Sequence, residues 1–295
     1  MLATEGLRDL LEFCEKVGRA LTLSSFVEAS IPKPGNAGPM QDIPSVKYRS
    51  LLESAMKLEA SYRDACLRGY RRKLPLMDLL YRVSSKDFVL LGTGILLLPL
   101  AYSAPSLSLE GVIAGASQVV RSMGYEDWKW FSQTLSIIQP SYLGKVETMD
   151  YRSGDLEFWR VLQWSAMFDT VSRELVEGYR RSLKVFQMLR RRTCGSFVRT
   201  IQHAFIRLLS DEPDGLILRK WGNKAALNVS LMASRIPDCP SDEELANFNE
   251  FLTSHGFNPG STADLIASGI ALYELNELFN NGVRPFLQRG CDRVT

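Results

Sequence analysis

Leu7-Arg-Asp-Leu-Leu-Glu-Phe-Cys-Glu-Lys-Val-Gly-Arg-Ala-Leu-Thr-Leu23 carries apolar side chains at Leu7, Leu10, Leu11, Cys14, Val17, Leu21 and Leu23. Those positions fall close to helical intervals. The same spacing returns at Leu51, Leu52, Ala55, Met56, Leu58 and Tyr62, and over Val161, Leu162, Trp164, Phe168, Val171, Leu175, Val176 and Tyr179. Strict apolar–polar alternation is hard to find, and no β-branched run is bounded by hairpin turns. The periodicity predicts an all-α protein of roughly ten helices at the usual helix length. Breaks fall at residues 31–44, 103–108, 139–154, 194–196, 210–215, 236–241 and 255–260. None reads as a flexible linker, and no fixed-period repeat is present. The expected organisation is a single compact helical domain spanning residues 1–295.

Composition narrows the function classes. With 45% hydrophobic and 23% charged residues, the chain reads as an ordinary globular protein. A net charge of +2 gives no case for nucleic acid. The most apolar stretch, residues 88–101, is too short to span a membrane and contains Gly92, Gly94 and Pro99, so it predicts a buried helix. No signal peptide is visible, since Glu5, Arg8, Asp9 and Glu12 interrupt the N-terminus. Cys14, Cys66, Cys194, Cys239 and Cys291 form no C-x-x-C pair, and His203 and His255 are not spaced as a zinc pair. Reduced thiols in a cytoplasm are the expectation. A homo-oligomer is compatible with the sequence.

Just beyond the first helical stretch lies Glu28-Ala-Ser-Ile-Pro-Lys-Pro-Gly-Asn36. Two prolines stiffen this turn, and Gly35 and Asn36 admit unusual backbone conformations. The reading is an exposed loop presenting Lys33 to an anion such as phosphate, with Glu28 at the end of the preceding helix; a plain helix-ending turn fits too. Near the other end, His255-Gly-Phe-Asn-Pro-Gly-Ser-Thr-Ala-Asp264 leads into an apolar helix. Ser261 or Thr262 suits an N-cap, Ser261 with Asp264 resembles a capping box, and the open N–H groups there attract phosphate. Asp264 is also placed to hold a metal ion, or the loop is an ordinary cap.

Two further segments carry charge. Asp169, Arg173 and Glu177 share a helical stripe, which serves either a magnesium ion beside a guanidinium or a solvated ion-pair ladder. Arg219 and Lys220 sit beside Trp221, a combination that holds nucleotides or merely anchors a core. The aromatic cluster Trp128, Trp130 and Phe131 reads as core or as a partner patch. No phosphate-binding P-loop, dinucleotide fingerprint, nucleophile elbow or kinase signature is present.

In their order along the chain these segments resemble the triphosphoribosyl-dephospho-CoA synthase family, closest to its shorter archaeal-type members. Glu28 to Asn36 resembles the leading motif, with Asp42 at the acidic position after it. Ser165-Ala-Met-Phe-Asp-Thr-Val-Ser-Arg-Glu174 resembles the central acidic helix. Asp214-Gly-Leu-Ile-Leu-Arg-Lys220 resembles a basic segment, and Asn258-Pro-Gly-Ser-Thr-Ala-Asp-Leu265 the closing motif. The resemblance implies an all-helical fold and a reaction in which a hydroxyl of 3′-dephospho-CoA attacks the anomeric carbon of the ATP ribose. Adenine leaves and the triphosphate stays on the transferred ribose.

On that basis Asp42, Asp169 and Asp264 are candidates for the general base, and Asp169, Glu174 and Asp264 for magnesium (Mg2+). Glu28, Lys33, Asn36, Arg173, Arg219, Lys220, Asn258, Gly260 and Ser261 are the candidate substrate-binding residues, with the 258–261 loop supplying backbone N–H donors. One segment departs. Where family members carry Asn-Thr-His-Lys-Gly or Asn-Thr-Asn-Leu-Gly, this chain reads Phe88-Val-Leu-Leu-Gly92. Two readings follow: a transferase with an altered acceptor, or a nucleotide-binding or regulatory protein that keeps the fold.

Overall fold

The computed structural model describes residues 2–106, 108–140, 143, 149–152 and 154–280, with the backbone alone at residues 2–5. Along them run fourteen helices: α1 (Leu2–Ser30), α2 (Tyr48–Tyr70), α3 (Met77–Val83), α4 (Leu91–Ser103), α5 (Leu109–Arg121), α6 (Tyr125–Ile138), α7 (Phe158–Ser165), α8 (Thr170–Val176), α9 (Arg180–Arg191), α10 (Phe197–Asp211), α11 (Gly215–Trp221), α12 (Asn223–Ser234), α13 (Asp242–Ser254) and α14 (Gly260–Asn280). Extended structure among the described residues is limited to two isolated bridges in the α1–α2 loop.

The all-α expectation holds, but ten helices is too few. The extra breaks hide inside continuous apolar periodicity. Over 161–179, α7 stops at Ser165, Asp169 caps α8, and Gly178 and Tyr179, both at positive φ, turn the chain into α9. Asp169 and Glu177 therefore flank α8 as its N-cap and C-cap. They do not form the continuous helical ladder with Arg173 that their spacing suggests.

Helices α4 and α14 form the centre. Residues 93–101 of α4 are all buried, as are residues 265–272 of α14. A helix that is apolar around its whole circumference belongs inside the fold. α14 packs against α1, α4, α9 and α10, and α4 packs against α2 and α5. No helix among the described residues is long and apolar enough to cross a membrane.

The cysteines overturn an expectation. Cys14 of α1 is bonded to Cys66 of α2, and Cys194 to Cys239, with sequence separations of 52 and 45. No short spacing announces either pair, because packing of distant segments creates both. His203 lies against the second pair. With these sulfurs joined, the cysteines no longer point to a reducing compartment. Cys291 lies outside the described residues.

Candidate active site

The loops at either end of the chain meet. Gly35 has a φ of 75°, and a Cβ there would stand 2.9 Å from the Phe257 carbonyl oxygen and 2.9 Å from Pro259. Only glycine meets both demands. Its N–H donates to Asn249 Oδ1 at 2.9 Å, and Asn36 Nδ2 donates to Asn258 Oδ1 at 2.8 Å. This pairing leaves the buried Asn36 Oδ1 without a hydrogen-bond partner among the described residues.

The same loop contradicts the reading of an exposed lysine. Lys33 is buried. Its Nζ donates to the carbonyl oxygens of Glu28 and Ile31 at 2.5 and 2.8 Å, and pairs with Glu28 Oε1 at 2.9 Å. The two prolines fold the lysine back under its own helix end, where it satisfies orphan carbonyls. Lys33 thus holds Glu28 in place, and Glu28 faces the cavity.

That cavity, of about 620 Å³, is bordered by Glu28, Asn36, Asp169, Arg219, Lys220, Asn258, Gly260, Ser261 and Asp264. Lys33, Asp42, Arg173 and Glu174 do not line it. Exposed Asp42 accepts the Tyr48 N–H at 2.7 Å, at the start of α2. Arg173 is held by the Ala166 and Met167 carbonyls at 2.8 and 3.1 Å and by Glu212 at 2.9 Å. Glu174 is fully buried; it accepts the Ser182 and Arg181 N–H groups at 2.7 and 3.1 Å and pairs with Arg181. It caps the start of α9, away from the cavity.

Asp264 is a strongly perturbed acid lining the cavity. It accepts from Thr93 Oγ1 at 2.6 Å. Burial raises its pKa from 3.8 to about 7, assisted by the negative charges of Glu28 and Asp214, while the Thr93 hydroxyl pulls the other way. A carboxyl that titrates near neutrality is suited to moving protons. The capping box expected with Ser261 does not form, because Asp264 turns to α4 instead. Gly92 makes this possible: a Cβ there would stand 2.1 Å from Asp264 Oδ2.

The same cavity carries a basic arm, Arg219 and Lys220 of α11. Arg219 pairs through Nη1 with Asp169 Oδ1, while Asp169 Oδ2 accepts from the Ser172 N–H and hydroxyl at 2.9 and 2.6 Å. Lys220 beside it has no ion-pair partner among the described residues. Burial and the neighbouring Arg219 lower its pKa, so an arriving anion would relieve an unfavourable charge.

Asp214 joins the two sides. Its Oδ1 accepts the Leu216 and Ile217 N–H groups of α11 at 2.8 and 3.0 Å, and its Oδ2 accepts the Thr262 N–H and hydroxyl of α14 at 2.7 and 2.8 Å. One carboxylate caps the helix carrying Arg219 and Lys220 and the helix carrying Asp264. The expected row of free backbone donors shrinks accordingly. The Gly260 and Ala263 N–H groups go to the Asn258 and Pro259 carbonyls, and that of Thr262 to Asp214.

Residues 14–283 match the family of ATP:dephospho-CoA triphosphoribosyl transferases (CitG). The chain belongs to that family. A crystal structure from Archaeoglobus fulgidus, of a protein assigned as a triphosphoribosyl-dephospho-CoA synthase, superposes with a TM-score of 0.61. It is 23% identical and covers 76% of this chain and 98% of its own. At that identity the likeness establishes the shared fold. No curated protein matches the chain in sequence.

In this CitG-family site, sequence reading overlooked Thr93, Asp214 and the role of Gly92. Asp214 before Gly215-Leu-Ile carries a legible N-cap signal for α11. Its second set of bonds, 48 residues further along, carries none. Thr93 reaches Asp264 across 171 residues, which no local pattern announces.

Proposed function

We propose that the chain transfers the triphosphoribosyl group of ATP to an acceptor hydroxyl and releases adenine. The observation that carries this reading, beside the family membership, is Asp264: a carboxyl raised to about 7, bonded to Thr93 and lining one cavity with Glu28, Arg219 and Lys220. In this reading Asp264 takes the proton of the attacking hydroxyl as the new C1′–O bond forms. The C1′–N9 bond breaks, and adenine leaves with its electron pair and is protonated. The charge of Glu28, fixed by Lys33, stabilises the oxocarbenium-like centre, in the manner of glycoside cleavage. Arg219 and Lys220 bind the triphosphate. The unpartnered Asn36 Oδ1 accepts from a ribose hydroxyl.

Magnesium fits the donor set. Glu28 and Asp264 are hard oxygen donors lining one cavity, and the charge of Glu28 disfavours the ionised form of Asp264. Mg2+ is commonly held by one or two carboxylates together with substrate phosphates. There it would neutralise phosphate charge.

The test is incubation with ATP and Mg2+ in the presence of dephospho-CoA and of other hydroxyl-bearing acceptors, with free adenine measured by chromatography. The expected result is adenine release that depends on Asp264 and requires an acceptor. Absence of any ATP-dependent thermal shift, together with no adenine from any acceptor, overturns the proposal.

A further inference from the structure

Away from the cavity, distant segments bring soft metal donors together. Cys194 lies in the turn between α9 and α10, Cys239 in the loop between α12 and α13, and His203 on α10. Their sulfur and ring-nitrogen atoms all lie within 4.8 Å of one another. The bond between the two sulfurs accounts for two of these three groups. It does not account for the third, an imidazole buried against them. His203 Nδ1 accepts the Cys239 N–H at 3.2 Å, at the long end of the hydrogen-bond range. The nitrogen turned toward the cysteine segment thus carries a lone pair and no proton, as a metal ligand must.

A fourth donor stands beside them. Asp238, next to Cys239 in the chain, places Oδ1 3.9 Å from His203 Nδ1. Two thiolates, an imidazole and a carboxylate suit Zn2+, which takes four such ligands in a tetrahedron. Its bonds are about 2.3 Å to sulfur and about 2.0–2.2 Å to nitrogen and oxygen, which sets the donors roughly 3.3–3.8 Å apart. Opening the sulfur–sulfur bond and turning side chains brings the present atoms to that spacing. Charge also fits. The two thiolates and Asp238 outweigh the charge of the ion by a single negative charge, and the Arg207 guanidinium, 3.6 Å from Asp238 Oδ1, offsets it. Asp238 and Cys239 are exposed, so an ion reaches the site from solvent.

We infer that Cys194, His203, Asp238 and Cys239 form a Zn2+ site when the cysteine pair is reduced, so that disulfide and metal are alternative clasps for the same two loops. The site does not rest on the transfer reading above. Reduction by a phosphine supplies two electrons to the sulfur–sulfur bond, while water gives its protons to the sulfurs and its oxygen to the phosphine. Zn2+ then displaces both thiol protons to solvent as two Zn–S bonds form. Either clasp secures the chain just before α13, whose Asn249 accepts the Gly35 N–H at the active-site loop.

The test uses the full chain carrying Cys291→Ser, which removes the cysteine outside both bonded pairs. After reduction with tris(2-carboxyethyl)phosphine, zinc binding is measured by competition with a chromophoric chelator, and Co2+ is substituted to read the coordination in the visible spectrum. The expected results are one Zn2+ per chain, Co2+ bands of a tetrahedral thiolate centre, and a melting temperature about 5 °C or more above that of the reduced, metal-free protein. Cys239→Ser should weaken zinc binding at least 100-fold and His203→Gln at least tenfold. A pair that stays closed under the phosphine, no zinc uptake by the reduced chain, zinc held without tetrahedral thiolate bands, or binding undiminished in either variant overturns the site. Should either variant not fold, Asp238→Ala, at an exposed position, decides by the same tenfold loss.

Discussion

Replacing Asp264 by asparagine separates stability from chemistry in a way that depends on pH. In the folded protein Asp264 titrates at about 7, against an ordinary value of 3.8, chiefly because burial disfavours its charge. Below pH 4 the group is protonated in both states and contributes nothing. Between pH 4 and 7 the native state holds a proton that the unfolded chain has lost, so stability falls as pH rises. Above pH 7 both states are ionised and the full penalty is present. At about 1.4 kcal/mol per pH unit, the gap comes to about 4 kcal/mol. The amide introduced by Asp264→Asn would keep an acceptor for the Thr93 hydroxyl and carry no charge. Asp264→Asn should therefore match the wild type near pH 4 and exceed it by about 2–4 kcal/mol at pH 8. For a chain of this length that corresponds to a melting temperature roughly 4–8 °C higher. Adenine release should fall by 100-fold or more, as expected for loss of a general base. Melting curves by circular dichroism from pH 4 to 8, run on both proteins, check the sign and the window. A variant that is less stable than the wild type at pH 8, or equally offset at every pH, would refute the electrostatic reasoning.

Gly92→Ala should abolish adenine release while leaving the far-ultraviolet spectrum helical, since the new methyl would stand 2.1 Å from Asp264 Oδ2 and must displace that carboxyl; kinetics and circular dichroism on one preparation check both halves. Lys33→Ala should lower stability by about 3–5 kcal/mol, because it strands the buried Glu28 carboxylate and two carbonyl oxygens. Urea denaturation measures that, and if the loss of activity reflects Glu28 rather than phosphate binding, the ATP-dependent thermal shift should survive in Lys33→Ala at temperatures where it remains folded.

What was legible in the sequence divides along the range of the forces involved. Helical periodicity is a local property, and it disclosed the all-α architecture and the burial of α4. Helix count was less legible, because Gly178-Tyr179 and the 166–169 turn reverse the chain without interrupting the apolar spacing. The candidate site was legible as segments and illegible as roles. Residue type says that a lysine between prolines is cationic; it does not say whether the ammonium reaches outward or folds back onto the carbonyls of its own helix end, and here it folds back. The same holds for Arg173, held by the nearby Ala166 carbonyl and the distant Glu212, and for Glu174, taken up by the turn into α9. Two of the polar groups that remain to face the cavity are held there by partners distant in sequence, and one by a near neighbour. Glu28 leans on Lys33 in the same segment, whereas Asp264 reaches Thr93 and Arg219 meets Asp169. Asp214 then fixes the spacing between the last two sets by capping α11 and α14 with one carboxylate. Such an arrangement explains why the departure at residues 88–91 leaves the acid intact. Gly92 supplies only space and Thr93 only a hydroxyl, so the side chains before them are free to become apolar. The position of Asp264 and the chemistry of the wall beside it are separately specified, so the residues before Gly92 can change without moving that carboxyl.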